Sequence, residues 1–395
     1  MSNDTPRRDL HQRTGLLLVA VLLVAANLRL GVTSLGALLD QVQDATGMPA
    51  AMASSLTSLP VLCFALIGAT GMTLARRVGV HRGIGLALVL LTAGLVVRVL
   101  DGPALLLVGT FVTCAGIALA NVLLPAVVKE HFPDRVGSVT GAYSAVLSGG
   151  AALGAAAAVP AAAATGSWRG GLVVWALLAL AALLAWAPFC QAQDHGSGGA
   201  RGPMLWRSPV AWAVTLLFAM QGVAAYVVMS WLPTIYIDAG FSHGEAGLLL
   251  AVSILVGVPV FFCAPSLATR LRTQGHLIAV LSLLMAAGFL GLWLAPLGGA
   301  WLWAVLLGVG GGIFPVVLTL FSLRTADAAG TAALSSMGQS VGYLLAAPGP
   351  MVIGLLRDGT GSWSVPLAVL TVSAVVQIAA GYVAGRPVIV GTARP

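Results

Sequence analysis

Long runs of uncharged, mostly apolar residues alternate with short charged segments along the whole chain. Because the hydrocarbon core of a bilayer is about 30 Å thick, a helix needs about 20 such residues to cross it. The run Thr273–Leu323 is long enough for two helices, and Pro296 through Gly299 divide it. Eleven runs have this character: Thr14–Leu39 (interrupted only by Arg29), Ala45–Ala75, Gly83–Val97, Gly102–Val128, Val136–Trp168, Gly170–Gln193, Ser208–Ile237, Ala246–Thr269, Thr273–Leu323, Ala328–Leu356 and Gly359–Gly385. With one run divided, the pattern predicts an all-α polytopic membrane protein with twelve transmembrane helices.

Composition points to the same class. Of the 395 residues, 59% are hydrophobic and 8% are charged, whereas soluble domains carry about 25% charged residues. A soluble domain of this length cannot bury so much apolar surface. The composition therefore excludes a water-soluble enzyme, a disordered chain and a disulfide-stapled secreted protein. The four cysteines form no CxxC pair, and we expect no catalytic residue, bound metal or cofactor.

Basic residues are concentrated on one side of the predicted membrane. With the N-terminus inside, fifteen arginines and lysines fall in inside loops and tails, against three outside, Arg98, Arg169 and Arg357. Such an excess marks the cytoplasmic side. We therefore expect a multi-pass protein of the cytoplasmic (inner) membrane with both termini in the cytoplasm. The basic residues that mark the cytoplasmic side also account for the net charge of +7. We therefore expect the protein to contact the lipid bilayer and to bind no nucleic acid.

Landmarks of matching position recur at a constant interval of 193 residues. Three pairs share it: Gly47 with Gly240, Arg77 with Arg270, and Gly137 with Gly330. The interval predicts two parallel six-helix halves, residues 1–190 and 209–395, joined by a polar, glycine-rich cytoplasmic linker at 191–208. The chain has no GxxxxGK[ST] sequence for ATP binding and no repeated channel filter. These features favour a secondary transporter over a pump or a channel.

Several segments carry a recognisable family pattern. They are Asn27-Leu28-Arg29 with Thr33 through Gly36 in the first helix, Asn121 through Lys129, Phe132 through Arg135 and Thr140 through Ser144 around the fourth and fifth helices, and Trp231 through Thr234 and Ala246 through Leu249 in the second half. These segments resemble the cyanate/nitroimidazole permease branch of the major facilitator superfamily. The resemblance implies a permease with two parallel six-helix halves that moves a small solute by alternating access.

Two positions depart from the pattern of that family. Leu30 stands where the first-helix motif usually has proline, and Ala75 stands where the loop after the second helix usually has an acid. We expect the adjacent Arg76 and Arg77 to act in gating. Three further residues, Gly311, Gly312 and Pro315, weaken helical hydrogen bonding in the tenth helix, so we expect a hinge there.

Arg29 is the ionisable residue that the sequence places inside a membrane span, since the acids and histidines fall in loops, tails or helix margins. A central arginine costs about 2.5–3.5 kcal/mol on insertion scales, so something must offset it. Helix carbonyls, water in a cavity or a bound anion would serve. The planar guanidinium suits a small planar anion, to which it donates two parallel hydrogen bonds. The alternative is a structural arginine on a neighbouring helix, or one that gates the outer mouth.

Other polar and aromatic residues in the predicted spans are candidates to complete a substrate site. Asn27 lies about 200° around the helix from Arg29, so the two cannot both face a cavity squarely, whereas Thr33 is one turn on and shares its side. Each candidate also has an ordinary alternative role in helix packing. The remaining candidates are Asn121, Tyr143, Gln221, Tyr226, Gln339 and Tyr343.

The sequence leaves three functions open. The first is a permease for a small polar or anionic solute, with Arg29 as the anion contact. The second is an exporter of small planar neutral compounds, such as nitroimidazoles or other drugs, in which aromatic stacking outranks Arg29. The third, a receptor or scramblase of the same fold, is disfavoured by the small loops. We expect a monomer, with proton coupling, uniport and exchange all open.

Overall fold

The computed structural model describes residues 5–191 and 205–390, and within these ranges helices account for nearly all of the chain. Three-residue to five-residue 3₁₀ segments at Gly68–Thr70, Pro133–Arg135, Ala187–Gln191 and Leu205–Arg207 supplement the α-helices. The α-helices are α1 (Thr5–Ala37), α2 (Leu39–Thr46), α3 (Ala50–Leu66), α4 (Gly71–Val78), α5 (Val80–Val97), α6 (Pro103–His131), α7 (Val136–Thr165), α8 (Trp168–Val173), α9 (Trp175–Trp186), α10 (Pro209–Asp238), α11 (His243–Arg270), α12 (Gly275–Leu294), α13 (Ala300–Gly310), α14 (Ile313–Leu323), α15 (Ala328–Ala346), α16 (Gly349–Thr360) and α17 (Ser364–Ala384).

Eleven helical segments of the described chain are long and apolar enough to cross a membrane, and they coincide with eleven of the twelve predicted spans. The remaining one, the second along the chain, is helical but interrupted. It consists of the 17-residue α3, a 3₁₀ turn and α4. Glycines at both ends of that turn, Gly68 and Gly71, lower the helical preference there. The all-helical membrane fold predicted from the sequence is confirmed.

The chain forms two compact units. Among the described residues, the first unit contains 5–133 and 142–191, and the second contains 134–141 and 205–390. The predicted linker, 191–208, lies mostly outside the described residues, which omit 192–204. The division into two duplicated halves stays a prediction.

Close contact between α1 and α7 organises part of the first unit. A Cβ atom built on Gly150 would lie 2.2 Å from the carbonyl oxygen of Ala26, and one on Gly154 would lie 2.5 Å from Oγ1 of Thr33. These glycines are four residues apart and so share one face of α7. Small residues at such spacing let two helices approach closely in a membrane, where packing replaces hydrophobic attraction. The small-residue stretch of α7 therefore positions α1.

The tenth predicted span is divided between α13 and α14 in the second unit. Gly311 and Gly312 separate the two helices. A Cβ on Gly310 would lie 2.6 Å from Cβ of Met285, and one on Gly312 would lie 2.5 Å from Cγ1 of Val260. Packing therefore favours glycine on either side of the break.

Candidate functional site

Asn27 and Arg29 lie on different sides of α1. Nδ2 of Asn27 donates to the carbonyl oxygen of Leu23 at 2.9 Å and to that of Leu178, in α9, at 3.4 Å. Asn27 is therefore buried against α9. Arg29, two residues on and about 200° around the helix, is half-buried on the other side. Asn27 thus acts between helices within the first unit, as the spacing indicates.

Thr33 shares the side of Arg29 by spacing, but its hydroxyl is engaged locally. Oγ1 of Thr33 donates to the carbonyl oxygens of Arg29 and Leu30, at 3.2 and 3.3 Å. Such back-bonding satisfies a hydroxyl inside a membrane helix. With Gly154 of α7 packed against the same oxygen, Thr33 is placed at the α1–α7 contact.

Arg98, which the charge pattern places at the margin of an outer loop, is a buried arginine at the end of a helix. It caps the C-terminus of α5 and is 0% exposed. One guanidinium nitrogen donates to the carbonyl oxygen of Gly31 at 2.7 Å, and another to that of Leu172, in α8, at 3.3 Å. The signal that would have found it is the apolar sequence on both sides, Leu95-Val96-Val97-Arg98-Val99-Leu100. Arg98 holds α1 and α8 to the end of α5.

A cavity of about 100 Å³ lies beside Arg98 within the first unit. A water molecule needs about 10–15 Å³ on this measure, so the cavity has room for several waters or a small ion. Its polar lining includes Arg98, Thr110 and Thr113, and the rest comes from α1, α2, α3 and α6. Nε of Arg98 and Oγ1 of Thr110 have no hydrogen-bond partner among the described residues. The cavity thus combines a cation with an unsatisfied hydroxyl.

The carboxylate nearest to Arg98 along the chain is engaged elsewhere. Asp101 pairs with Arg169 at 2.8 Å, with both side chains at the surface. The charge of Arg98 is therefore stabilised by backbone carbonyl oxygens, which need several well-placed hydrogen bonds to offset the desolvation of a buried cation.

We expect Arg98→Lys to lower the stability of the protein by about 2 kcal/mol, because an ammonium lacks the planar fork that bridges two carbonyl oxygens. Thermal unfolding of the purified protein in detergent measures the effect. Arg169→Lys is the matched control, since exposed ion pairs contribute about 0–1 kcal/mol. Equal unfolding midpoints for the two variants would contradict the anchoring role of Arg98.

Four of the predicted site residues come together in the second unit, on α10 and α15. The ring centroids of Tyr226 and Tyr343 lie 6.5 Å apart. The rings of Phe218 and Tyr343 pack edge to face, with centroids 5.0 Å apart. Gln221 is on α10 one turn beyond Phe218, and Gln339 is on α15 one turn before Tyr343. Nε2 of Gln339 donates to Oγ of Ser335 at 2.9 Å. The ring centroids of Phe218 and Phe314 lie 6.1 Å apart, and we call Phe218, Tyr226, Phe314 and Tyr343 the aromatic cluster.

Gln221 links this cluster to the break between α13 and α14. Pro315 has no N–H group, so the carbonyl oxygen of Gly311 lacks its usual helical donor. The N–H of Phe314 donates to that oxygen at 3.0 Å, and Nε2 of Gln221 donates to it at 3.5 Å. Oε1 of Gln221 is buried with no hydrogen-bond partner among the described residues. Because of Pro315, the carbonyl oxygen of Gly311 is open to a further donor, and the predicted site residue Gln221 donates to it.

The other predicted residues lie apart from these groups. Asn121 is half-buried in α6, Tyr143 is buried in α7, and neither lines the cavity beside Arg98. Arg76 and Arg77 are exposed in the last turn of α4, and their gating role stays a prediction. The two phenylalanines of the aromatic cluster are not among the site residues predicted from the sequence. Phe218 was detectable, because it is three residues from Gln221 and so shares its helix face.

The known proteins that this chain resembles are membrane transporters of one superfamily. A family model described as Major Facilitator Superfamily matches residues 21–350. A 2-nitroimidazole transporter of Escherichia coli (strain K12) is 38% identical over 375 residues, covering 94% of this chain and 95% of the relative. The cyanate transport protein CynX of the same organism is 31% identical over 352 residues, covering 88% and 91%. Among solved structures, the proton:xylose symporter XylE bound to 6-bromo-6-deoxy-D-glucose has a TM-score of 0.75 at 14% identity, covering 93% and 94%, which concerns the fold alone.

Proposed function

The chain belongs to the major facilitator superfamily and is therefore a multi-pass membrane transporter rather than an enzyme, and we propose that its cargo is a small polar or anionic solute. Alternating access is the mode of transport of this fold. The observation that carries the proposal is Arg29, a cation within the membrane span Thr14–Ala37. An ionisable residue inside a membrane marks a functional site by default.

Charge in the first unit supports an anionic cargo. Arg29 is half-buried inside the span Thr14–Ala37. A planar guanidinium recognises a carboxylate-like group through two parallel hydrogen bonds. Arg98 adds a second cation to the same unit, and it borders a cavity with room for a small ion. Both arginines favour a cargo that carries negative charge.

The aromatic cluster of the second unit supports a planar cargo. Ring faces and edges such as those of Tyr226 and Tyr343 stack favourably on flat molecules. The unpartnered Oε1 of Gln221 adds one hydrogen-bond acceptor beside the cluster. Cyanate and 2-nitroimidazole, which the names of the two relatives mention, are a small linear anion and a small planar ring. We therefore place the cargo of this chain among small planar solutes that carry negative charge or polar atoms.

The setting of the transporter is part of the proposal. The excess of basic residues on one side, fifteen against three, supports a location in the cytoplasmic membrane with both termini in the cytoplasm. We propose that the protein acts as a monomer without a cofactor. Protons are the coupling ion to test first. A proton can cross with the substrate either on the protein or on the substrate itself.

Uptake into proteoliposomes tests the function. Purified protein is reconstituted and supplied with labelled cyanate, nitrate, small carboxylates or 2-nitroimidazole, with and without a pH gradient. We expect saturable uptake of at least one anion, with mutual competition between anions, above the level of protein-free liposomes. Faster uptake under an inward proton gradient would assign proton coupling.

Transport of 2-nitroimidazole with no anion carried would instead support the neutral-compound exporter. That alternative has one structural observation in its favour, the aromatic cluster. The two functions are separated by the same assay, because only the anion permease should be inhibited by a second anion. An absence of transport with every planar solute would contradict the proposed cargo class.

A further inference from the structure

Two histidines and a glutamate meet at one end of the first unit. Nε2 of His81, in the first turn of α5, lies 2.8 Å from Nε2 of His131, the last residue of α6. Glu130 joins them: one ligand atom from each of the three residues lies within 4.8 Å of the other two. Trp186 of α9 stacks on the His81 ring and donates Nε1–H to the His81 carbonyl oxygen at 2.9 Å. The His81 ring is therefore held in a defined orientation.

The second unit carries a different pair at the equivalent positions. Gln274 lies 193 residues after His81, and Arg324 lies 193 residues after His131, the interval of the repeated landmarks. Arg324, which the charge pattern assigns to an inside loop, is buried and donates a hydrogen bond to Oε1 of Gln274. In each unit, a side-chain hydrogen bond thus joins the start of one span to the end of the next span along the chain.

The two pairs differ in what they can bind. A guanidinium has only donors, so the pair Gln274–Arg324 offers no ligand set for a metal. Two imidazole nitrogens and a carboxylate oxygen, in contrast, are the donor set of many zinc sites. Imidazole ligands favour Zn²⁺, Co²⁺, Ni²⁺ and Cu²⁺ over Mg²⁺ and Ca²⁺. The sequence alone assigned no ligand role to these histidines, because each lies at a helix margin far from the other in the chain.

We propose that His81, Glu130 and His131 form a binding site for a divalent transition metal of the zinc class, which ties the start of α5 to the end of α6. In a tetrahedral zinc site with ligand bonds of about 2.0–2.2 Å, the ligand atoms lie about 3.3 Å apart. The two Nε2 atoms need to separate slightly, and the carboxylate needs to move inward. His131 is exposed and Glu130 is half-buried, so an ion reaches the site from water, and a water molecule completes the coordination.

Cobalt binding to the full-length protein tests this site. The protein is purified in detergent through a tag that contains no histidine, treated with chelator and titrated with Co²⁺. We expect one equivalent to bind with the intense visible absorption of tetrahedral Co²⁺, to be displaced by Zn²⁺, and to raise the midpoint of thermal unfolding. The absence of any metal-dependent absorption or shift in the unfolding midpoint would overturn the proposal.

The second unit supplies the decisive variant. The double substitution His81→Gln with His131→Arg reproduces the pair Gln274–Arg324, so we expect it to keep the metal-free unfolding midpoint and to lose Co²⁺ binding. Glu130→Gln keeps both histidines and should weaken binding by at least about tenfold. His243→Gln, at the exposed start of α11, is the control and should bind Co²⁺ like the natural protein. Undiminished Co²⁺ binding by both the double variant and Glu130→Gln would overturn the assignment of these ligands.

Discussion

Arg29→Gln should reduce uptake of the transported anion to the background of empty proteoliposomes, a loss of at least about 100-fold. Glutamine keeps a polar, although shorter, side chain and removes the charge and the paired donors. Charge-assisted hydrogen bonds contribute about 1.5–3 kcal/mol each, and two of them account for a loss of this size. Initial rates of uptake over a range of substrate concentrations measure the effect.

Two further variants distinguish a substrate contact from a structural arginine. Arg29→Lys keeps the charge without the planar fork, so we expect transport between that of Arg29→Gln and the natural protein. Arg169→Gln removes an exposed arginine that pairs with Asp101, and its uptake should stay within about twofold of normal. All variants should be inserted and purified in normal amounts. If Arg29→Gln transports the true substrate normally, Arg29 does not bind the anion.

Gly150→Val should destabilise the protein by about 3 kcal/mol and abolish transport. The added Cβ would lie 2.2 Å from the carbonyl oxygen of Ala26, a backbone atom that no rotamer change can move. Overpacking of this kind costs about 1–3 kcal/mol or more and forces helices apart. The consequence is a displaced α1, which carries Arg29. Thermal unfolding in detergent and uptake by reconstituted protein measure the two effects.

The neighbouring residue provides a matched control. Gly149 is exposed, and a Cβ built on it meets nothing within 4 Å. Gly149→Val makes the same chemical change, one residue away in the same helix. We expect its stability to lie within about 0.5 kcal/mol of the natural protein. Equal destabilisation by the two variants would mean that helix propensity, rather than the α1–α7 contact, accounts for the effect.

The positions of the membrane spans were predictable because transfer into lipid depends mainly on local composition. Eleven predicted spans coincide with helices long enough to cross the bilayer, and the division of the long run near Pro296 is also correct. The second span was harder to predict in detail. Its apolar run is continuous, but the glycines flanking the turn at Gly68–Thr70 permit a break that hydropathy does not register.

The candidate site was predictable only in part. The substrate-binding roles of its residues stay predictions. Helical spacing indicated that Asn27 and Arg29 lie on different sides of α1, and that Gln339 and Tyr343 share a face. It did not indicate that Gln221 donates to the carbonyl oxygen of Gly311. That bond joins two residues 90 positions apart in the chain, and its acceptor is left open because a proline four residues later lacks the usual donor.

The sequence by itself determined that this chain is a helical membrane protein, where most of its helices lie, and that a charge at Arg29 falls inside one of them. These properties follow from the transfer of each local segment from water to lipid. Only the tertiary structure decided that Arg98 and Arg324 are buried and that His81 meets His131. An ionisable side chain at a helix end lies in water or in the interior according to the partners that distant helices supply, and no local pattern encodes those partners.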